Sequence, residues 1–576
     1  MEHQFSSYYR GVAALFIVIG ALVNVVVAQL STPSVDEAAR KVDEYLSQWD
    51  KKDMPGCAVG VVKDGKLIYK RGVGMANLTY DVPNTPSMLF EVASTTKPFT
   101  AMAIALLAEQ GKLSIDDPVR KYIPELPAYG DTITIRHMLH HTSGLREYEA
   151  LIFFGGRGNE NVHSEKEMLD LVIRQKNINF TPGTKYQYSN TGFLLLAVIV
   201  KRVSGKSLRA FSDEYIFKPL GMKSTLYRDD RGEVIKNRAS GYIAGPGGRV
   251  RQRTSLDDLV GDGGLLTNIE DLALWVQNYF EPRVGSRETI RMLTTAGTLS
   301  SGEKINYGFG QFFGTYRGLP VIKHSGNVSG FRAQIARYEA QNFAVIALSN
   351  NSAIYPADIV AKVADIYLDG QFPAPGAKKA PPVMPQGEAI SPEDAARYTG
   401  VFTNTELGLT FKMSVKEGKL VNIGLLQKEA SVLSTKDKHL LIVAEGNAYE
   451  MVPTLDSSRQ ITEVKMLRAG GEGDVFRRLK PPLDSPDQLA EYLGTYHSEE
   501  FDADYRIVRK GSGLVFQTGP TLEAPLRPAY LDAFTTGEGR VSFVFTRDSA
   551  GKITGFVFNA NADDREVKGV VFIRKQ

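Results

Sequence analysis

EVASTTKPFTAMAIALLAEQG, residues 91 to 111, is the stretch on which the reading of this 576-residue chain turns. Phe99, Met102, Leu106 and Leu107 recur at helical spacing and Gly111 supplies a stop, which predicts a helix. Pro98 has no N–H to donate to the carbonyl of Ser94, so the helix must start near Ser94. Ser94 and Lys97 then lie on one face about one turn apart. The serine sits at the positive end of the helix dipole, where free N–H groups can stabilise an oxyanion. A serine hydroxyl needs a base, and lysine acts as one only when desolvation or neighbouring positive charge lowers its pKa. A serine near a helix N-cap followed by an exposed lysine gives the same spacing, so a second partner has to decide.

PGTKYQYSNTGFLLLAVIVKRVSG, residues 182 to 205, supplies one: Tyr188 and Asn190 stand two apart just before another helix and point the same way in extended backbone. A phenol near a lysine ammonium is favoured as phenolate, so Tyr188 could take the proton of Ser94 and pass it to a leaving group. Asn190 offers an amide to a substrate carbonyl and to Lys97. In KHSGNVSGF, residues 323 to 331, His324, Ser325 and Gly326 open a predicted strand, and Gly326 lets backbone approach a ligand closely. The edge of that strand could hold an extended acyl group, with the amides of Ser94 and Asn327 forming an oxyanion hole.

Around these motifs, CAVGVVKDGKLIYKRGVG (57–74) reads as two strands about an Asp64-Gly65 turn, and HSGNVSGFRAQIARYEAQNFAVIALSNN (324–351) as two more strands joined by a short polar turn. Strands at both ends with helices between predict an α+β domain over 34–370 whose termini pair in one antiparallel sheet. Residues 371–390, rich in Pro and Ala, predict an extended linker. Beyond it SPEDAARYTGVF at Ser391 recurs as SPDQLAEYLGTY at Ser485, and the copies end alike in VFRRL at Val475 and VFIRK at Val571. Each copy alternates short β-branched runs with Gly, Asp and Asn turns, which predicts two small β-barrels or sandwiches, over 391–480 and 485–576.

With 43% hydrophobic and 23% charged residues the composition is globular, and 68 basic against 65 acidic residues give no field that would draw nucleic acid. The apolar run Gly11 to Ala28 behind Arg10 predicts an export signal over 1–28, cleaved before Gln29, in a periplasmic or secreted protein; the length of the run also suits an uncleaved membrane anchor. The single cysteine, Cys57, reads as a buried residue of a strand. With a single cysteine there is no Cys-rich metal spacing, and no phosphate loop follows a strand, so no metal or organic cofactor is expected.

Ser-x-x-Lys, Tyr-x-Asn and His-x-Gly in this order resemble the penicillin-recognising serine hydrolases: class C β-lactamases, D,D-peptidases, D-aminopeptidases and related esterases. HMLHHTSGL at His137 and DGGLLTNIEDLALW at Asp262 are similar to structural segments of that family, which leaves His137, His140 and His141 outside the expected site. The resemblance implies a β-lactamase-like domain in which Ser94 is acylated, Lys97 and Tyr188 are the acid/base pair, Asn190 binds the substrate amide, and His324, Ser325, Gly326 and Asn327 form the substrate-side strand. A β-lactamase-like domain followed by two lipocalin-like barrels is similar to the D-aminopeptidase layout. The family's β-lactamases usually carry Lys-Thr-Gly where this chain has His324-Ser325-Gly326, so the fixed cation is missing.

The expected function is a serine hydrolase acting through an acyl-enzyme on small amide or peptide substrates, of D-aminopeptidase or D,D-peptidase type. An esterase or weak β-lactamase of the same family and, from another class, a non-catalytic cell-wall ligand sensor stay open. The oligomeric state stays open too, as does the work of the barrels, which either reach a loop over the site or act as spacers. If His324 contributes charge, activity on carboxylate substrates should rise as pH falls toward about 6.

Overall fold

The computed structural model describes residues 34–157, 162–255, 257–373, 387–404, 409–423, 429–444, 447–467, 473–480, 482–483, 486–520, 522–562 and 565–576. The expected export signal and most of the expected linker lie outside them.

The hairpin at the start of the chain forms as β1 (Cys57–Lys63) and β2 (Lys66–Val73) about Asp64 and Gly65, both at positive φ. Five later strands complete the sheet: β3 (Tyr307–Gly308), β4 (Gln311–Tyr316), β5 (Leu319–Val328), β6 (Phe331–Tyr338) and β7 (Phe343–Ser349). Their order is β3-β4-β5-β6-β7-β1-β2, and Cys57 pairs with Ser349, so the two ends of the domain meet in one antiparallel sheet. Two expectations shift here. Residues 324–351 span the end of one strand and two more, and His324, Ser325 and Gly326 lie in the second half of β5 because Leu319 to Lys323 already run extended against β4.

Both faces of the sheet are covered. Helices α1 (Val35–Leu46) and α6 (Pro356–Tyr367) bury Val42, Leu46, Ile359 and Val363 against Cys57, Val59 and Val61 on one side. On the other side lie α2 (Lys97–Glu109), α3 (Tyr148–Phe154), α4 (Asn190–Ser204) and α5 (Ile269–Phe280). Helix α2 is not amphipathic as its sequence spacing suggested: every residue from Lys97 to Leu107 is buried, because helices pack around it on all sides. A charged Lys97 inside that helix is therefore carried into the core.

The internal repeat folds as two closed eight-stranded barrels. The first runs from Gly400–Asn404 to Gly473–Leu479, and Glu388–Ala389, at the end of the expected linker, pairs with its strand Ala430–Ser434. The second runs from Gly494–Ser498 to Arg565–Arg574 and closes where Tyr496 pairs with Arg574. Its interior is filled by rings, with Phe556 stacked on Phe572 at 4.6 Å and Tyr505 tilted against Phe572 at 4.3 Å, so its centre is a packed core.

The first barrel has a core of its own, whereas the core of the second is continuous with the helices of the hydrolase domain. Phe154 of α3 meets Phe558 edge-on at 5.0 Å, and the Tyr505 hydroxyl donates to the Phe154 carbonyl at 2.7 Å. Calorimetry should accordingly resolve one transition for the first barrel and another shared by the second barrel and the hydrolase domain. Phe558→Ala should lower the shared transition alone, by about 3–5 kcal/mol.

Candidate active site

Ser94 stands in a 3₁₀ turn, Ala93–Thr96, that runs straight into α2, so its N–H belongs to a first turn that has no intrahelical acceptor. Ala93, just before it, is held at φ +48°, a left-handed conformation costing an alanine about 1–2 kcal/mol. The turn is fixed from outside, since Val92 donates to the Leu265 carbonyl and Thr95 to the Val92 carbonyl, both at 3.1 Å. The strain thus sits next to the serine.

Lys97 is fully buried, and its Nζ reaches three oxygens: Asn190 Oδ1 at 2.7 Å, the Asp262 carbonyl at 2.9 Å and Ser94 Oγ at 3.0 Å. Burial lowers its pKa to about 8, with Asp262, Glu147 and Glu149 pulling in the opposite direction. As an ammonium it fills all three acceptors. As a neutral amine it has two N–H groups, which the amide oxygen of Asn190 and the carbonyl of Asp262 must take because neither can donate; the lone pair is left facing the Ser94 hydroxyl. The geometry therefore turns the neutral amine into an acceptor for the serine proton.

Tyr188 lies beside Lys97, its ring centroid 4.9 Å from Nζ, with its hydroxyl close enough to Ser94 to act on its titration. Its pKa is well above the ordinary value, burial being the largest cause. The expected phenolate is thus corrected: desolvation outweighs the nearby lysine, and the resting tyrosine is a neutral phenol. The ring packs on His141, centroids 4.2 Å apart. His141 Nδ1 accepts from the Ser189 N–H at 3.1 Å, and burial holds this imidazole neutral. His137 instead completes the capping box of the helix Ile135–Leu139. His140 packs edge-on against Phe309 at 5.3 Å. Of the three histidines left outside the site, His141 thus supports it directly.

The last β4 partner on β5 is Lys323, so His324 to Val328 form an open edge on that side. A two-residue turn joins β5 to β6 at the Val328–Phe331 pair; counting back from it, the alternation of an antiparallel pair turns the N–H groups of Ser325 and Asn327 toward the open edge. Both side chains are exposed. Gly326 lies against the serine turn, where a Cβ would fall 2.0 Å from the Val92 oxygen. His324 is buried: Nδ1–H donates to the Ser325 carbonyl at 2.7 Å, which leaves Nε2 to accept from the Tyr307 hydroxyl at 3.2 Å. Burial, helped by Lys97, takes its pKa down to about 3. The expected gain of charge toward pH 6 is therefore corrected, because the imidazole stays neutral there.

All eight residues singled out from the sequence come together. Ser94, Tyr188, Asn190, His324, Ser325 and Asn327 line a cavity of about 380 Å³, Lys97 lies beneath Ser94, and Gly326 seats the strand. Sequence reasoning missed the acidic wall, where Glu91, Glu147, Glu149, Asp257 and Asp262 line the same cavity. Glu91 is faced by Arg238 at 3.4 Å and Arg228 at 3.9 Å. Glu147 is 3% exposed; its Oε2 accepts from the Asn190 N–H at 2.7 Å, whereas Oε1 is buried without a partner among the described residues. Burial first, then Glu149 and Asp262, raises its carboxyl well above the usual range. The only hint in the sequence was the run of acids in REYE, residues 146 to 149. Among the described residues no cluster of His, Cys, Asp and Glu could hold a metal ion.

The Beta-lactamase family profile matches residues 38–365. Penicillin-binding protein 4* of Bacillus subtilis (strain 168) is 31% identical over 354 residues, covering 59% of this chain and 77% of that protein. A D-aminopeptidase of Gluconobacter oxydans (strain 621H) is 26% identical over 471 residues, covering 80% of this chain and 83% of its own length. Among solved structures, the octameric penicillin-binding protein homologue from Pyrococcus abyssi is similar at a TM-score of 0.53 and 25% identity, over 77% of this chain and 100% of that one.

Reaction of Ser94 with a fluorophosphonate should speed up with pH, by about tenfold per unit below the Lys97 pKa of about 8, and level off above it. Binding of a carboxylate-bearing substrate should be flat from about pH 5 to about pH 7, because His324 has no proton to gain there. Gly326→Ala, which drives a Cβ onto the Val92 carbonyl, should slow the Ser94 reaction by about a hundredfold while circular dichroism reports an intact fold.

Proposed function

The chain belongs to the Beta-lactamase family of serine hydrolases, and we propose that within it the protein is an aminopeptidase-type amide hydrolase that releases an N-terminal D-residue from short peptides or amides. The observation that carries the reading is Glu147, which lines the same cavity as Ser94 among four other acids and whose Oε1 is buried without a partner among the described residues. A protonated α-amino group fits that oxygen and relieves a carboxylate that burial and like charge destabilise. A cavity of about 380 Å³ is at the small end of ligand sites, which suits a residue or two. The D configuration is supported by the D-aminopeptidase relative, whose match extends well beyond the hydrolase domain. A substrate carboxylate is not favoured, since His324 carries no charge and Arg228, which lines the cavity beside five acids, faces Glu91.

In the mechanism that follows, neutral Lys97 accepts the Ser94 proton as Oγ attacks the carbonyl carbon. The oxyanion falls to the N–H groups of Ser94 and Asn327. Tyr188, a neutral phenol, donates its proton to the leaving nitrogen as the C–N bond breaks, and the Lys97 ammonium replaces that proton. Water, giving one proton to the same pair, attacks the ester carbonyl, and that proton passes to Ser94 Oγ as the C–O bond breaks and the acid leaves. The apolar run Gly11 to Ala28 supports export, so the mature N-terminus should read from Gln29 and the protein should fractionate outside the cytoplasm.

Hydrolysis of D-alanine p-nitroanilide, its L-isomer, its N-acetyl derivative and a p-nitrophenyl ester by wild type, Ser94→Ala and Glu147→Gln tests the reading. Expected are Ser94-dependent turnover that prefers the free D-amine, a large loss on N-acetylation, and a KM raised about tenfold by Glu147→Gln with a smaller change on the ester. Ester cleavage alone, indifferent to N-acetylation, would replace the aminopeptidase with an esterase.

A further inference from the structure

The second barrel contributes no residue to the cavity among the described residues, yet it grips both segments that carry the site. Arg146, fully buried, precedes Glu147; its Nη1 donates to the buried Glu500 carboxylate of the barrel and to Gln175 Oε1 at 2.8 Å, and its Nη2 to the Lys568 carbonyl at 2.6 Å. Glu500 also accepts from the Lys176 N–H at 2.8 Å. Further along the same loop, Asn179 exchanges hydrogen bonds with the closing hairpin of the barrel, donating to the Glu566 carbonyl at 2.7 Å and accepting from the Lys568 N–H at 3.0 Å. That loop runs on to Tyr188 and is laced to the other segment through Asn179 to the Gly144 carbonyl at 2.7 Å and Gln187 to the His141 carbonyl at 2.8 Å.

From Arg146 the contacts pass directly into the site. Its carbonyl accepts from Thr191 Oγ1 at 2.8 Å, which accepts in turn from the Tyr148 N–H at 2.8 Å. Glu147, the next residue, receives the Asn190 N–H, and Asn190 Oδ1 receives Lys97. We propose that Glu500 of the second barrel is a positioning residue for acyl transfer, holding Glu147 and Asn190 in register with Lys97 through Arg146. The barrel is then an assembled part of the active site although it never touches substrate. The alternatives of a covering loop or a spacer do not call for a charge buried at the interface. A buried guanidinium that loses its carboxylate is left uncompensated and must move, and the strand of chain it belongs to moves with it. Lys97 is faced by Tyr188, the carboxylates of Glu147, Glu149 and Asp262, and the neutral rings of His141 and His324. Loss of the Asn190 acceptor from this set favours the neutral amine.

The proposal rests on Ser94 and Lys97 as the reacting pair, and its test is the rate of Ser94 phosphonylation by a fluorophosphonate against pH, in full-length wild type, Glu500→Gln and Asn179→Ala, beside their melting curves. Expected for Glu500→Gln are a plateau rate lower by about tenfold or more and an alkaline limb at lower pH than in wild type. Asn179→Ala, a milder loss at the same interface, should move both the same way by less, and it answers the question if Glu500→Gln does not fold. Glu500→Asp, keeping the charge, should recover part of the rate. Folded variants with wild-type plateau and limb, changed only in melting temperature, would reduce the contact to a structural tie and overturn the proposal. Wild type that shows no Ser94-dependent labelling would instead remove the site assignment itself.

Discussion

A lysine amine buried among three oxygens is the constraint around which the rest of this molecule is arranged. Lys97 sits in a helix buried on every side, and desolvation alone would make its charge costly to hold. Asn190 and the Asp262 carbonyl offset part of that cost, and they do so in a geometry that leaves the amine's remaining position for Ser94. The folded protein binds this proton less tightly than the unfolded chain, so stability rises with pH from about 8 toward about 10.4 and the full penalty is carried below that window. A strained Ala93 adds to the local cost. Packing elsewhere has to over-determine the site, and the closed sheet of β1 to β7 and the shared core with the second barrel supply that packing.

The parts of the site that depend on local spacing were legible in the sequence. Ser94 and Lys97 are one helical turn apart, Tyr188 and Asn190 two residues apart before a helix, and Gly326 is a glycine because backbone meets backbone there. What spacing cannot carry is burial. The sequence gives His324 and Tyr188 their ordinary chemistry, but the fold places both where the charged form is disfavoured, and each ends neutral for that reason. The roles of Glu147 and Glu500 were not legible, since their meaning comes from Asn190, 43 residues away in the chain, and from Arg146, 354 residues away.

The repeat raised the same issue at the scale of domains. Two copies that begin and end alike predicted two barrels, and two barrels form. Their surroundings differ. The first has an enclosed core, whereas the second presents Tyr505 and Phe558 to α3 and Glu500 to Arg146. Similar strands and turns specify the barrel, but a few side chains at its rim decide whether it stands alone or docks, and no periodicity marks those few.

The acidic wall and the buried lysine are also coupled electrostatically. Ionised Glu147 raises the Lys97 pKa and so works against the neutral amine that the reaction needs. On the proposed substrate, an ammonium beside Glu147 cancels that carboxylate's field at Lys97 and lowers the pKa of the amine, while Asp262 and Glu149 still hold it above what burial alone would impose. Substrate charge then does two things at once: it fills an unpartnered oxygen and it makes the base more available. A substrate without that charge gains neither effect, so discrimination for the free amine enters the chemical step as well as binding.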